Sequence, residues 1–145
     1  MLENSTDYLF NLDQAFRRFE VLNPLRVARY GNEAILYLKG VGIYGNRNHY
    51  PLPELIIIDL STPDGSGLAV LGWIRRQPGF GGTPVILLVQ PSHDRYLQEA
   101  GERGTNAYHV KREDVDSLAQ MIKSIELERE HSPIWDAPLI EEPQD

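Results

Sequence analysis

The pattern of hydrophobic and polar positions divides the chain into segments that alternate between the helical and the strand period. Apolar residues recur three or four positions apart in five segments, which predicts helices at residues 8–22, 32–39, 67–77, 92–101 and from 115 onward. Short apolar runs between them predict strands at residues 25–29, 55–58, 85–89 and 107–110. The runs at 55–58 and 85–89 lack polar alternation, which is typical of parallel strands covered on both faces.

Small polar residues and helix breakers set the expected ends of these elements. Thr6 or Asp7 can cap the first helix, because a short side-chain oxygen accepts hydrogen bonds from otherwise unpaired amide groups. Pro24 is expected to end the first helix and Gly40 the second. Residues 41–53 are rich in Gly, Asn, Tyr and Pro, which predicts an ordered surface loop.

The alternation of helices with apolar strands predicts a parallel sheet with helices on both faces. Right-handed crossovers then limit the topology to a doubly wound, flavodoxin-like α/β sheet. We expect one domain at residues 1–130 and an acidic, Pro-rich tail at residues 131–145.

Composition narrows the possible functions. The net charge of −7 argues against binding to a nucleic-acid backbone. The chain has no cysteine, which excludes disulfides and thiolate metal sites and is compatible with a cytoplasmic location. No apolar run approaches the roughly 18 residues of a membrane span, and the acidic start does not resemble a signal peptide.

Polar residues follow several predicted strands at the place where open α/β sheets bind ligands, beyond the carboxyl ends of the strands. These residues are Asp59 after the run 55–58, Lys111 after the last strand, and Glu3-Asn4 after the first two residues. A strand-end carboxylate such as Asp59 costs desolvation free energy unless it is paired. Asp59 is therefore either a functional acid or a structural group, in a helix cap or an ion pair with Lys111.

Four segments resemble the response regulator receiver domains, the CheY-like family. Their residues are 53–63 (acceptor strand and loop), 67–71 (third helix), 83–88 (fourth strand) and 104–111 (fifth strand and lysine). Residues 23–25, 44–45 and 51–53 resemble more specifically the single-domain regulators associated with bacterial phytochrome kinases. The resemblance implies strand order 2-1-3-4-5, in which the first strand is central and has several apolar residues before its acids. Only Met1 and Leu2 are apolar before Glu3 here, so the first strand is expected to be truncated. Either the chain is truncated relative to its natural product, or another segment, such as the apolar tail residues 134–140, fills the position of that strand.

The resemblance also implies a function and a site. Asp59 would accept a phosphoryl group from a phosphohistidine of a sensor histidine kinase, and Lys111 would pair with Asp59 and then with the phosphoryl group. Glu3, Asn4, Asp59 and the carbonyl of Ser61 would hold Mg²⁺, which prefers oxygen ligands. Phosphoryl transfer depends mainly on positioning and charge neutralisation.

Two residues depart from the family pattern. Asn4 stands where the family has a second acid, so Mg²⁺ binding is expected to be weak. Val89 stands where the family has Thr or Ser, and it cannot donate a hydrogen bond to a phosphoryl oxygen. Tyr108 occupies the aromatic switch position, but Val89 weakens its expected coupling to Asp59. The alternative is a degenerate pseudo-receiver that acts as a phosphorylation-independent interaction module.

The expected output is protein–protein contact rather than enzymatic turnover or binding to nucleic acid or membrane. The family implies homodimerisation through its helix 4, strand 5 and helix 5, which correspond here to residues 92–101, 107–110 and the last helix. A third interpretation, a small flavin-binding α/β protein, shares the topology, but the sequence lacks a convincing flavin-phosphate loop.

Overall fold

The computed structural model describes residues 1–62, 65–90, 107–111 and 114–131, with side chains for all of these except 107, 108 and 129–131. These residues form two compact units. Of the described residues, the first unit comprises those within 1–4 and 27–110, and the second comprises those within 5–26 and 111–131. The expected helix at 92–101 and the tail beyond His131 lie outside the described residues, as does the segment 134–140 proposed to fill the slot of the first strand.

The described elements follow the order expected from the sequence. The helices are α1 Thr6–Arg18, α2 Gly31–Lys39, α3 Gly67–Arg76 and α4 Asp116–His131, and the short 3₁₀ helices are Gly42–Gly45 and Pro78–Phe80. The strands are β1 Ile56–Asp59, β2 Val85–Val89 and β3 Ala107–Val110. Within the described ranges, no helix is long and apolar enough to cross a bilayer.

The sheet of the first unit is parallel and ordered β1-β2-β3. Ile57 is aligned with Ile86, and Leu87 with Tyr108. Every side chain of β1 and β2 is buried, which explains why both sequences are apolar without alternation. These three strand predictions are confirmed.

Leu2 extends this sheet beyond β1. It forms single parallel bridges with Ile58 on one side and with Ala28 on the other. The resulting order, Ala28 segment, Leu2 segment, β1, β2, β3, is the expected order 2-1-3-4-5 with a reduced first strand. The strand predicted at 25–29 contracts to the bridge at Ala28, where the Glu3 amide donates to the carbonyl of Ala28 at 3.0 Å and the Ala28 amide donates to the carbonyl of Met1 at 2.9 Å.

The loop between α2 and β1 is ordered, as its composition predicted. The rings of Tyr37, Tyr44 and Tyr50 contact one another with centroid separations of 5.1 to 6.0 Å. Arg47 donates hydrogen bonds to the carbonyls of Tyr37, Leu38 and Tyr50, so it satisfies carbonyl groups at the end of α2. Gly40 ends α2 in the left-handed conformation, with φ 72°, as expected.

In the second unit, α1 begins and ends differently from the prediction. Ser5, rather than Thr6 or Asp7, caps it, because the Ser5 hydroxyl accepts a hydrogen bond from the amide of Tyr8 at 3.2 Å. The helix ends at Arg18, well before Pro24. A Schellman turn ends the helix: Glu20 takes the left-handed conformation with φ 55°, and the Val21 amide donates to the carbonyl of Phe16 at 2.8 Å. Beyond this turn, the buried carboxylate of Glu126 on α4 accepts hydrogen bonds from the amides of Leu22 and Asn23.

The buried face of α4 differs in part from its hydrophobic pattern. Val115, Leu118 and Ile122 are buried as predicted, whereas Ile125 is only half-buried. Glu126 takes a buried position there because the amides of the turn after α1 satisfy its oxygens. A polar side chain can therefore occupy the inner face of this helix.

Replacing Gly31 with alanine is expected to destabilise the protein. An added Cβ would lie 2.6 Å from the Cβ of Ser66 and 2.2 Å from its hydroxyl, and rotation of the hydroxyl relieves only the second contact. The start of α2 would have to move away from the start of α3, so urea unfolding should show a loss of about 1–3 kcal/mol. Gly82→Ala is the control, because nothing lies within 4 Å of its added Cβ. Equal stability of the two variants would contradict this close approach.

Glu126→Gln is expected to lower the free energy of unfolding by about 1–3 kcal/mol. The substitution would replace one of the two carboxylate oxygens by an NH₂ group. That group would face the N–H donors of Leu22 and Asn23, from which it cannot accept a hydrogen bond. Thermal and urea unfolding measure the loss. Glu128→Gln, on the exposed side of the same helix, should change the stability by less than about 0.5 kcal/mol. A similar small change at Glu126 would show that these hydrogen bonds do not hold the turn.

Candidate functional site

Asp59 is the last residue of β1, and its carboxylate is buried. The residue is 1% exposed. Its Oδ1 accepts hydrogen bonds from the amide of Ser61 at 2.9 Å and from the hydroxyl of Ser61 at 2.7 Å. Burying a carboxylate requires such compensation, because the group loses its hydration. Ser61 therefore holds Asp59 in a fixed orientation at the carboxyl end of the sheet.

A second buried carboxylate, that of Glu3, belongs to the neighbouring segment. The Leu2 amide donates to the carbonyl of Ile57 at 2.8 Å, and the Asp59 amide donates to the carbonyl of Leu2 at 3.0 Å. This parallel register pairs Leu2 with Ile58, so the next residues, Glu3 and Asp59, stand beside each other on the same face of the sheet. Glu3 is 1% exposed, and its Oε2 accepts the amide of Asn4 at 2.9 Å.

The two carboxylates fit a hard divalent cation. Two like charges buried on adjacent strands repel each other, and a cation between them relieves that repulsion. Carboxylate oxygens are the ligands that Mg²⁺ prefers, with water completing its coordination. Within the described residues no cluster of three or more His, Cys, Asp or Glu side chains could hold a metal. Glu3 and Asp59 would therefore supply two carboxylates, and weak binding of Mg²⁺ stays a prediction.

Asn4 lies next to this pair, but its side chain is engaged elsewhere. Its amide nitrogen donates to the carbonyl of Arg29 at 3.4 Å, and the Arg29 guanidinium donates to the carbonyl of Asn4 at 3.0 Å. The sequence did not single out Arg29, because a contact across 25 positions leaves no trace in local spacing. The assignment of Asn4 as a metal ligand stays a prediction.

The two expected switch residues lie in the sheet. Val89 ends β2, is 4% exposed and belongs to the hydrophobic core of the first unit, where Val110 packs against that core. It is therefore a packed core residue with no polar side-chain atom. Tyr108 lies in β3 opposite Leu87, so its backbone position is that of the expected strand, while its side chain lies outside the description.

Lys111 follows β3 and belongs to the second unit. Its ammonium nitrogen lies 4.6 Å from the ring centroid of Tyr8, a residue of the first turn of α1. The sequence presented Tyr8 only as the start of a helix, so this contact could not be anticipated from spacing.

Comparison with known proteins identifies the family. The model of the response regulator receiver domain matches residues 3–123. The chain belongs to the response regulator receiver family. Among curated proteins it is 30% identical over 104 residues to the response regulator Rcp1 of Synechocystis sp., a match covering 72% of this chain and 69% of that protein.

Solved structures of receivers share the fold. The phosphorylated cyanobacterial phytochrome response regulator RcpA superposes with a TM-score of 0.74 and 27% identity, over 88% of this chain and 89% of that one. RPA3017, a response regulator in red light signalling of R. palustris, superposes with a TM-score of 0.76 and 25% identity, over 86% of this chain and 87% of that one. The Mn²⁺-bound form of Rcp1 superposes with a TM-score of 0.71 and 26% identity, over 86% of this chain and 88% of that one. The receiver fold and a role in phosphorelay signalling are thereby confirmed.

Removing a carboxylate from the site should lower the affinity for Mg²⁺, and adding one should raise it. Isothermal titration calorimetry measures both changes. Glu3→Gln removes one charge from the pair and should weaken binding roughly tenfold or more. Asn4→Asp adds a charge beside the pair and should strengthen binding roughly tenfold. Asp13→Asn, on the exposed side of α1, is the control and should bind Mg²⁺ like the natural sequence. Unchanged affinity in Glu3→Gln would rule out Glu3 as a ligand.

Proposed function

We propose that Asp59 is the phosphoryl acceptor of this receiver. The observation that carries the proposal is the burial of the Asp59 carboxylate at the carboxyl end of β1, oriented by Ser61 and next to the carboxylate of Glu3. A buried acid at this edge of the sheet has no packing role that an apolar residue could not fill better. A chemical role accounts for its presence.

The transfer needs few groups from the protein. An oxygen of Asp59 attacks the phosphorus of a phosphohistidine, the P–N bond breaks, and its electron pair returns to the imidazole of the kinase. Mg²⁺ bound to Glu3, Asp59 and the carbonyl of Ser61 would neutralise negative charge on the phosphoryl oxygens. Lys111 would bind the phosphoryl group as a second positive charge. Ser61 would keep one carboxylate oxygen in place, so that the other faces the incoming phosphorus.

The proposed partner is a sensor histidine kinase of the phytochrome type. This proposal rests on relatives whose names connect them with phytochrome or red light, such as RcpA and RPA3017. We propose that the phosphorylated domain signals in the cytoplasm by docking to another protein. We also propose that it dimerises through the segments at residues 92–101 and 107–110 and through the last helix.

The pseudo-receiver alternative draws on two residues. Asn4 removes one acid from the metal site, and its amide is engaged with Arg29. Val89 places an apolar side chain where the family has a hydroxyl. Both substitutions weaken the metal or the readout, whereas Asp59, Glu3 and Ser61 keep the arrangement that an acceptor needs.

Intact-mass analysis after incubation with acetyl phosphate and Mg²⁺ tests the proposal. The natural sequence should gain one phosphoryl adduct, which is lost on treatment with hydroxylamine because an acyl phosphate is cleaved by that nucleophile. Asp59→Asn should gain none, while Asp13→Asn, an exposed acid of α1, should gain the adduct as before. A folded protein without any adduct would favour the pseudo-receiver.

A further inference from the structure

Lys111 and Tyr8 belong to the same compact unit, and the ammonium group of Lys111 lies over the ring of Tyr8. The ammonium nitrogen of Lys111 is 4.6 Å from the ring centroid of Tyr8. This separation is well inside the roughly 6 Å over which the negative face of an aromatic ring attracts a cation. Tyr8 is 7% exposed, so the ring is fixed by packing, and water is excluded from most of it.

The local sequence fixes the ring in place. Tyr8 belongs to the first turn of α1, and its amide donates to the hydroxyl of Ser5 at 3.2 Å. This cap sets where the helix starts and therefore where Tyr8 lies on its surface. Leu12 and Ala15, four and seven positions further along, are fully buried on the same face of the helix. The ring is thus a rigid platform rather than a mobile surface group.

We propose that Tyr8 is a positioning residue for phosphorylation: its ring holds the ammonium of Lys111 in the orientation in which the lysine binds the phosphoryl group. This inference rests on the proposed role of Lys111 at the acceptor. Tyr8 itself touches neither substrate nor metal in this proposal. It acts only through the conformation of Lys111.

Positioning matters here because a lysine side chain is long. Four rotatable bonds separate its ammonium from the backbone, and ordering them at the moment of reaction slows the reaction. The ring orders the chain beforehand, while an ammonium over a ring keeps its outer hydrogens available to an anion. Removal of the ring should therefore slow phosphoryl transfer by roughly three- to tenfold, in line with a cation–π contact at a desolvated ring.

The first test is spectroscopic and uses the unaltered protein. An aromatic ring shifts protons above its face upfield, so the ε-methylene protons of Lys111 should resonate upfield of those of Lys39 and Lys123, which are the only other lysines. The shift should persist in Tyr8→Phe and disappear in Tyr8→Leu. A Lys111 resonance at the position of the other two lysines in the natural protein would overturn the proposal without any variant.

The second test is a double-mutant cycle on the rate of phosphorylation by acetyl phosphate, followed by intact mass. Tyr8→Leu should be three- to tenfold slower than the natural sequence, and Tyr8→Phe should retain at least half of the rate. In a Lys111→Ala background, Tyr8→Leu should cause no further loss, because the ring has nothing left to position. Phe10→Leu, on the same helix but exposed, is the control for loss of a ring and should react normally.

The outcomes separate this inference from the proposed function. If Lys111→Ala slows the reaction but Tyr8→Leu acts equally in both backgrounds, Tyr8 supports the fold alone and the positioning role is refuted. If Lys111→Ala leaves the rate unchanged while the upfield shift is present, Lys111 has no part in the reaction. That second result overturns the proposed role of Lys111, and the role of Tyr8 with it.

Discussion

The first unit depends on the backbone hydrogen bonds of one residue, Leu2. Its amide and carbonyl join the segment to β1 through Ile57 and Asp59, while neighbouring groups join it to Ala28. Without this pairing, the edge of β1 would present unpaired amide and carbonyl groups in the middle of the sheet. The same register brings Glu3 beside Asp59, so the pairing that completes the sheet also places the two carboxylates next to each other.

Burial makes the charged state of the two site carboxylates, Glu3 and Asp59, unfavourable because it removes their hydration. Inside a protein, charges interact more strongly than in water, so two adjacent acids repel each other and attract cations at the same time. Donors from the local backbone offset part of the desolvation, Ser61 at Asp59 and the Asn4 amide at Glu3. The remaining negative potential attracts a divalent cation.

The sequence predicted the features that depend on local pattern. The apolar runs at 55–58 and 85–89 predicted two strands, the first within one residue of its observed ends and the second with its ends correct. Gly40 predicted the end of α2, because burial and backbone preference act within a few residues. Features that depend on distant partners could not be predicted. The segment after α1 is hydrogen-bonded to Glu126, over 100 positions away, and Ser5 caps the helix although Thr6 and Asp7 carry equally suitable oxygens.

The same distinction applies to the site, where residue types were visible and their environments were not. Val89 lies 4% exposed in the hydrophobic core, where a hydroxyl would need a buried partner and a methyl group does not. The orientation of Asp59 is set separately, by Ser61 within the following loop. The proposed acceptor, Asp59, and the proposed switch position, Val89, therefore belong to different strands. The apolar side chain at Val89 leaves the hydrogen bonds between Ser61 and Asp59 in place.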